Sequence, residues 1–502
     1  MTESKEGKRR AVLPVIISVV MFLAVAATVA GCSALRDTGK TEESTKATKA
    51  AETTEITEAT KAAETAEITE TTEITEPAEE ISGRPGQGET PAAAREVPVY
   101  KGTAAAAGRL PAAYDARKDG RTSPVKDQGD LGTCWAFASL LALESALLPD
   151  EALDFSEDHM SNNPSFNLGQ EEGGEYTMSM AYLLAWKGPV LEADDPYGDG
   201  FSPEGLRAVK HVQEIQMIPS RDLEAIKRAV YACGGVQSSL HTTLTSNESE
   251  SEYYDRETRA YCYPTDTAPN HDVVIVGWDD DFSKEAFPVE VAGDGAFLCE
   301  NSWGTQFGED GYFYVSYYDA NIGKNNILYS SVEAADNYDH IYQSDLCGWI
   351  GQLGYGGDTA WAVNIYQAAG RQRLEAAGFY ATAADTEYEV YVVRHVPEEP
   401  DGEALADRKL AARGKLGYAG FYTVPLTGDF ALEQGERFGV MIKLVTPGVI
   451  HPIAIEYDAG DGKCKVDLED GEGYISLEGE QWQHVEAGQR CNLCLKAYTS
   501  DN

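Results

Sequence analysis

The sequence predicts an α+β segment followed by an all-β sandwich, with an N-terminal part that does not fold. An almost uninterrupted apolar stretch from Cys134 to Leu148 is typical of a helix buried on most sides. The β-branched run in "NHDVVIVGWD" (Asn270–Asp279) indicates a buried strand. Beyond about residue 336, alternating segments such as "TEYEVYVVRH" and "RFGVMIKLVT" are separated by Gly, Pro and Asp turns, a pattern typical of a sandwich.

Residues 1–32 have the three parts of an export signal. A basic flank precedes an apolar run from Ala11 to Ala30, and small residues lead to Cys32. The segment "VAGC" resembles the lipobox of bacterial lipoproteins, which implies a lipid on Cys32 and attachment to the membrane. The alternative is an uncleaved anchor, because about 20 apolar residues span a bilayer. Both interpretations place the remaining chain outside the cytoplasm, on a bacterial cell surface.

Residues 33–109 are predicted to form a disordered, acidic linker rich in Thr, Glu and Ala. Between Thr41 and Glu80 there are 12 glutamates and 3 lysines and no aromatic residue, so this segment cannot bury enough surface to fold. "TKAAETTEITE" is repeated after 12 residues as "TKAAETAEITE". A charged spacer that extends by self-repulsion explains this repeat better than a solenoid. The net charge of −43 argues against a nucleic-acid partner.

Cys134 is a candidate nucleophile because of its place in the predicted helix. Thr133 is a suitable N-cap and Pro149 a suitable stop, so Cys134 falls in the first turn. Free N–H groups and the helix dipole favour an anion there, which promotes the nucleophilic thiolate. The alternative is an inert buried cysteine.

Two further motifs support the nucleophile. His271 stands at the start of the β-branched run, and Asn301 opens "NSWGTQFGEDGY" after another apolar segment. A single His before a strand is usually structural, and a single Asn usually caps a turn. Cys, His and Asn in this order, each in a strong local context, indicate a catalytic set instead.

Together, these motifs resemble the papain-like cysteine peptidases. The resemblance extends from "LPAAYDARKDGRTSPVKDQGDLGTCWAF" through "NHDVVIVGW" to "ENSWGTQFGEDGY", with His271 lying 137 residues and Asn301 lying 167 residues after Cys134. It implies a peptidase domain over residues 110–335, with a helical and a β-barrel-like subdomain and the active site in the cleft between them. Cofactors and metal ions are not implied.

The resemblance also implies roles for individual residues. Cys134 is the nucleophile, His271 its base and then the acid for the leaving amine, and Asn301 orients the imidazole. The side-chain amide of Gln128 and the backbone N–H of Cys134 donate to the oxyanion. Trp303 covers the His–Asn bond.

Three glycines are candidate substrate-binding residues by the same resemblance. Gly173 and Gly174 in "EEGGEY" are similar to the family's glycines, where substrate and enzyme backbones pair, and Gly132 lies in the loop before the nucleophile. A tight turn is the alternative interpretation of the pair. Trp303 is a fourth candidate substrate-binding residue, because it is expected to lie beside the His–Asn pair.

The sequence also departs from the family. The usual disulfide near the nucleophile is missing, because Leu131 and Glu171 occupy the two cysteine positions. Seven cysteines remain besides Cys32 and Cys134, an odd number, so at least one is unpaired. Cys491-x-x-Cys494 lies in a strand-like context and has no second pair, so a metal site is not predicted. The family's large helical pro-domain is also absent from the stretch between Cys32 and residue 110.

Residues 336–502 resemble the lectin-like domain that follows some bacterial papain-like peptidases. The segments "GWIGQLGYGGDTAWAVNIYQA" and "YAGFYTVPL" carry this resemblance. Trp349, Trp361 and Trp482 are candidates for stacking on sugars, with core tryptophans as the favoured alternative. A cell-surface glycan or protein is the expected ligand class.

The combined prediction is a surface-tethered cysteine endopeptidase with protein or peptide substrates. One alternative is an adhesion protein that uses the C-terminal β domain and in which the peptidase fold is only a scaffold. Another is a hydrolase of cell-wall peptides, which shares the Cys-then-His order but is not expected to have "NSWG".

Overall fold

The computed structural model describes residues 16–18, 108–464 and 466–502. The predicted lipidation site at Cys32, most of the predicted signal peptide and the linker as far as residue 107 lie outside these residues. The described α-helices are α1 (Cys134–Leu147), α2 (Glu157–Asn162), α3 (Tyr176–Leu184), α4 (Leu223–Ala232) and α5 (Val485–Gln489). Among the described residues, no helix combines the length and apolar content needed to cross a bilayer.

The strands of the N-terminal half include the one that begins at the predicted site residue His271. They are β1 (Ile16–Ser18), β2 (Ala113–Asp115), β3 (Lys210–Met217), β4 (Val236–Leu240), β5 (Tyr254–Asp255), β6 (Ala260–Tyr261), β7 (His271–Asp279), β8 (Ala296–Glu300), β9 (Tyr312–Ser316) and β10 (Asn326–Ala334). β4, β7, β8 and β9 are neighbours in this order within one sheet.

The strands of the C-terminal half follow at short intervals. They are β11 (His340–Tyr342), β12 (Gly351–Gly354), β13 (Thr359–Gln367), β14 (Gln372–Ala381), β15 (Thr386–Arg394), β16 (Arg408–Leu416), β17 (Ala419–Pro425), β18 (Ala431–Leu432), β19 (Arg437–Val445), β20 (Ile453–Tyr457), β21 (Gly473–Ser476), β22 (Gln483–His484), β23 (Cys491–Leu493) and β24 (Leu495–Asp501). One sheet has the order β16-β15-β19-β13-β21-β22, and a smaller one has the order β1-β12-β20-β23.

Helix α1 is the central element of the N-terminal half. Its residues Trp135–Ser145 are all buried, as the apolar run predicted, and it packs against β7, β10 and α3. The predicted cap at Thr133 is wrong in one respect. Thr133 precedes the helix, but its side chain makes no cap hydrogen bond and instead contacts the hydroxyl of Tyr197 at 2.7 Å.

A single sheet joins the two halves of the chain. Strand β3 pairs with β10 on one side and with β17 on the other, where Met217 faces Ala419 and Glu214 faces Tyr422. The predicted boundary at residue 335 lies just after β10. The peptidase-like and sandwich-like halves are therefore continuous through β3 and belong to one compact unit.

The C-terminal tryptophans contribute mainly to packing. Trp349 and Trp361 are each only 8% exposed. Trp349 lies against Tyr380, and Trp361 lies against Tyr391 with the guanidinium of Arg408 over its ring. These contacts favour the core interpretation of both side chains over sugar stacking.

We predict that Gly420→Ala weakens the junction between the two halves. Gly420 has φ +142°, and a Cβ there would overlap the carbonyl oxygen of Ile215 in β3. The combined overpacking and backbone strain should lower the free energy of unfolding by about 1–3 kcal/mol. Urea unfolding, with hydrogen exchange of the β3 amides, measures the effect. The control is Gly448→Ala, which has φ +78° and open space for a Cβ; equal losses in both variants would contradict the prediction.

Candidate active site

Cys134 lies in the first turn of α1, where the structure provides several N–H groups for its sulfur. The backbone N–H groups of Asp272, Trp135 and Cys134 itself act on the thiol and lower its pKa. Asp272 directly follows His271 in β7, so the contact between Asp272 and Cys134 brings Cys134 close to His271. The loop before α1 is fixed by a hydrogen bond from Gly132 N to Gln170 O of 2.9 Å.

Burial opposes the effect of the helix N-terminus. It raises the pKa of the Cys134 thiol to about 12, and the negative charge of Asp272 acts in the same direction. Burial also lowers the pKa of His271 to about 4, against the smaller effect of its bond to Asn301. In the substrate-free site burial therefore outweighs the helix N-terminus, which acts on the Cys134 thiol in the direction that the sequence predicts.

The tautomer of His271 follows from its bond to Asn301. His271 Nε2 lies 2.7 Å from Asn301 Oδ1, and the same oxygen accepts the backbone N–H of Ser302 at 2.9 Å. Because Oδ1 is an acceptor, Nε2 carries the proton in a neutral imidazole and Nδ1 is left as the basic nitrogen. Asn301 thus fixes both the ring orientation and the reactive atom of the base.

Trp303 covers this pair in the way the sequence predicts. Its ring lies 4.7 Å from the His271 ring at an angle of 31°, and it packs edge-on against Phe307. Trp303 is 7% exposed. The apolar cover keeps water away from the His271–Asn301 bond and strengthens it.

Gln128 is tied to the Asn301 segment by bonds that the sequence does not reveal. Its backbone N–H donates to Ser302 O at 2.9 Å, and its Oε1 accepts the Ser302 hydroxyl at 2.7 Å. Its Nε2 donates to Leu131 O at 2.7 Å. The hydroxyl of Tyr197 donates to the Gln128 carbonyl at 2.9 Å. Ser302 belongs to the "NSWG" motif, whereas nothing near Tyr197 in the sequence marks it.

The three predicted substrate-binding glycines belong to two loops that pack closely together, and Gly174 also packs against α1. A Cβ at Gly132 would come within 2.9 Å of Gly173 N, and one at Gly174 within 2.5 Å of the Trp135 ring. Gly173 has φ +78°, a backbone conformation that fits the tight turn considered as the alternative interpretation of the Gly173–Gly174 pair. The absence of side chains at Gly132 and Gly174 therefore permits the close approach of these two loops and of Trp135.

A buried ion cluster lies near the Gln128 segment of the site and was not predicted from the sequence. The ammonium of Lys126 contacts Glu144 at 3.1 Å and Glu157 at 2.8 Å, although both carboxylates are almost fully buried. Lys126 is two residues from Gln128, and Glu144 is in α1. The cluster therefore links the segment that contains Gln128 to α1, the helix that carries Cys134.

The described cysteines, Cys134 included, are all free thiols. No bridge joins the positions of Leu131 and Glu171, as the sequence indicates. The loop that carries the nucleophile is held by hydrogen bonds and close packing in its place.

A thiol at a helix N-terminus, an imidazole fixed by an amide and an apolar cover define a cysteine-dependent hydrolase site. Residues 110–331 match the family described as "Papain family cysteine protease", and residues 341–499 match "Lectin like domain". The chain therefore combines a papain-family cysteine protease domain with a C-terminal lectin-like domain.

The relatives agree with this assignment. Cathepsin K of Gallus gallus is 34% identical over 213 residues, and pro-cathepsin H of Mus musculus is 31% identical over 217 residues; each match covers 41% of this chain. The matched segment spans 58% of cathepsin K and 61% of pro-cathepsin H, so the chain covers less than two thirds of either relative.

A solved structure matches both halves together. The cysteine protease and lectin-like domains of Cwp84, a surface layer associated protein of Clostridium difficile, superpose with a TM-score of 0.70 and 26% identity. The match covers 79% of this chain and 90% of the Cwp84 chain. The predicted fold class, a papain-like fold followed by an all-β domain, is confirmed.

We predict that Glu300 makes the stability of the protein fall as the pH rises. Burial, with the charge of Glu144, raises the pKa of this carboxyl from 4.5 to about 8. An acid with a raised folded-state pKa stabilises the fold fully below its unfolded pKa, and this contribution is lost as the pH rises from about 4.5 to about 8. Glu300→Gln should therefore raise the melting temperature more at pH 9 than at pH 5.

Thermal melts of the wild type and of Glu300→Gln at both pH values test this. The matched control is Glu290→Gln, which changes an exposed carboxylate. A Glu300→Gln variant whose melting temperature changes as steeply with pH as that of the wild type would contradict the assignment.

Proposed function

We propose that this protein is a surface-tethered cysteine endopeptidase that hydrolyses peptide bonds in protein or peptide substrates. The observation that carries the proposal is the 2.7 Å bond between His271 Nε2 and Asn301 Oδ1, in a site where the next residue in the chain, Asp272, provides an N–H to Cys134. Family membership supports the same activity.

In the proposed reaction, the Cys134 proton passes to His271 Nδ1 and the sulfur attacks the substrate carbonyl carbon. His271 then protonates the leaving amine as the C–N bond breaks, which leaves a thioester on Cys134. Water, deprotonated by His271, attacks the thioester and releases the acid product and the thiol. Asn301 holds the imidazole in place throughout.

Charging both partners together offsets the cost of burial. A lone thiolate or a lone imidazolium is disfavoured in this site, as the directions of both pKa shifts indicate. An adjacent opposite charge favours each charged form, so the pair titrates as a unit. Substrate that excludes water strengthens this mutual attraction.

The developing oxyanion is stabilised by two N–H donors in this proposal. One is the backbone N–H of Cys134, and the other is the side-chain amide of Gln128, held by Ser302 through its Oε1. An amide group has two N–H bonds, of which one is directed to Leu131 O. The second serves the oxyanion.

We predict that Cys134→Ala abolishes peptide cleavage and leaves the fold intact, because it removes the nucleophile and little volume. The control is Cys233→Ala, the same change at another half-buried thiol, which should retain activity. Turnover of a peptide library and labelling by an epoxide probe measure both variants. Near wild-type cleavage by Cys134→Ala would refute the mechanism. Absence of cleavage by the wild type would favour an adhesion role, and cleavage restricted to cell-wall peptides would favour the cell-wall hydrolase.

We predict that Gln128→Ala lowers kcat much more than it changes KM, because the amide interacts with charge that develops only after attack. Loss of one oxyanion donor costs about 2.7–4 kcal/mol, or a factor of about 100–1,000 in kcat. Steady-state kinetics on one fluorogenic peptide test this, with Gln170→Ala as a control for loss of a nearby amide. An unchanged kcat would show that another group stabilises the oxyanion.

For the N-terminal region, we propose lipid attachment at Cys32, with residues 33–109 as an extended spacer and a glycan or protein as the ligand of residues 336–502. The lipobox-like "VAGC" and the acidic, repetitive composition support the anchor and the spacer. The surface layer association of Cwp84 supports a cell-surface location.

We predict that Cys32→Ala releases the protein from the membrane fraction or leaves an unprocessed precursor, because the acceptor sulfur is lost. Metabolic labelling with a fatty-acid analogue, followed by fractionation, measures this. Cys233→Ala again provides the control and should keep its label. Label retained by Cys32→Ala would indicate attachment at another residue.

A further inference from the structure

Two acidic residues, Glu175 and Asp272, lie next to residues of the proposed site, and the proposed mechanism uses neither side chain. Glu175 directly follows Gly174, which packs against the Trp135 ring in the first turn of α1. Asp272 directly follows His271, and its backbone N–H acts on the Cys134 sulfur. Both residues are therefore adjacent to groups that would hold substrate.

The carboxylate of Glu175 is only partly satisfied. Its Oε1 accepts the Thr177 hydroxyl at 2.8 Å, whereas its Oε2 is buried and has no hydrogen-bond partner. Glu175 precedes α3 but its side chain makes no cap bond to that helix. A buried carboxylate oxygen without a donor is costly, and a cation that enters with a ligand would remove this cost.

Asp272 is held rigidly on the other side. Its Oδ2 accepts Gln237 Nε2 at 2.9 Å, and the hydroxyl of Ser239 also donates to it. Both donors are neutral, so the carboxylate has no cationic partner in these contacts. Its negative charge raises the pKa of Cys134, of Glu175 and of Tyr176.

We propose that Glu175 and Asp272 form an acidic subsite that selects substrates with a Lys or Arg side chain close to the scissile bond, on its acyl side. The inference rests on the proposed peptidase function and identifies its substrate class. The acyl side is part of the proposal and is tested by varying three acyl-side positions of the peptide.

The electrostatics of the described residues agree with a cationic ligand. Burial, with the charge of Asp272, raises the pKa of Glu175 to about 7. Lys463 of the C-terminal half partly opposes this rise. Its backbone is docked on the peptidase half, since Lys463 O accepts Asn167 N at 2.7 Å. A substrate cation that contacts Glu175 would stabilise both carboxylates in their charged forms.

Binding to the full chain with Cys134→Ala tests the subsite without requiring turnover. Calorimetry compares peptides that differ at one of three acyl-side positions and carry Arg, norleucine or Glu there. At one position the Arg peptide should bind at least about tenfold more tightly than the norleucine peptide, as expected for a charge-assisted contact, and the Glu peptide should bind most weakly. Equal binding of Arg and norleucine peptides at all three positions would overturn the proposal.

Isosteric variants assign the preference to the two carboxylates. Glu175→Gln and Asp272→Asn, each in the Cys134→Ala background, should reduce the Arg-to-norleucine ratio to about threefold or less. Glu171→Gln, an exposed carboxylate on the same loop, should keep the ratio. A full preference in both subsite variants would overturn the proposal, and circular dichroism confirms that each variant is folded.

Kinetics of the wild type separate this proposal from the peptidase function. If peptides are cleaved but norleucine substrates have the higher kcat/KM, the subsite proposal fails and the peptidase function stands. If the Arg preference is present in binding but no peptide is cleaved, the peptidase function fails and the subsite stands.

Discussion

The burial of helix α1 is the constraint on which the rest of the site depends. An ordinary surface helix has one polar side, but α1 is enclosed by β7, β10 and α3 and can neither slide nor rotate without losing contacts on every side. The first turn of α1 is therefore fixed relative to the start of β7. Cys134 and His271 keep their relative positions without a disulfide, and Gly174 makes the close packing on Trp135 of α1 possible.

The same burial sets the electrostatics. It disfavours an isolated charge on Cys134 and on His271, so in the proposed mechanism the two groups become charged together. Burial also makes the ammonium of Lys126 indispensable. This ammonium is the counterion that the buried carboxylates of Glu144 in α1 and Glu157 in α2 share. Removal of one member of such a cluster leaves an uncompensated charge, which is far more costly than loss of an exposed ion pair.

Local patterns in the sequence were sufficient to predict much of this structure. The buried helix, the strand after His271 and the His271–Asn301 pair were all predicted, because each depends on a short motif. The cap position at Thr133 was predicted correctly, but its side chain makes no cap hydrogen bond because its hydroxyl contacts Tyr197, a residue from a distant loop. The Lys126 cluster and the β3–β17 pairing were missed for the same reason: each brings together residues far apart in the chain, and periodicity carries no information on such partners.

The β3–β17 pairing also affects the order in which the strands can pair while the chain folds. Met217 and Ala419 are neighbours in the sheet, yet about 200 residues of chain separate them. While the polypeptide is being made or exported from its N-terminus, one edge of β3 has no strand beside it until β17 emerges. An unpaired edge exposes backbone donors and acceptors to any other extended chain. The interval before β17 arrives is thus a period of vulnerability to misassociation, and a chain that stops early would retain this exposed edge permanently.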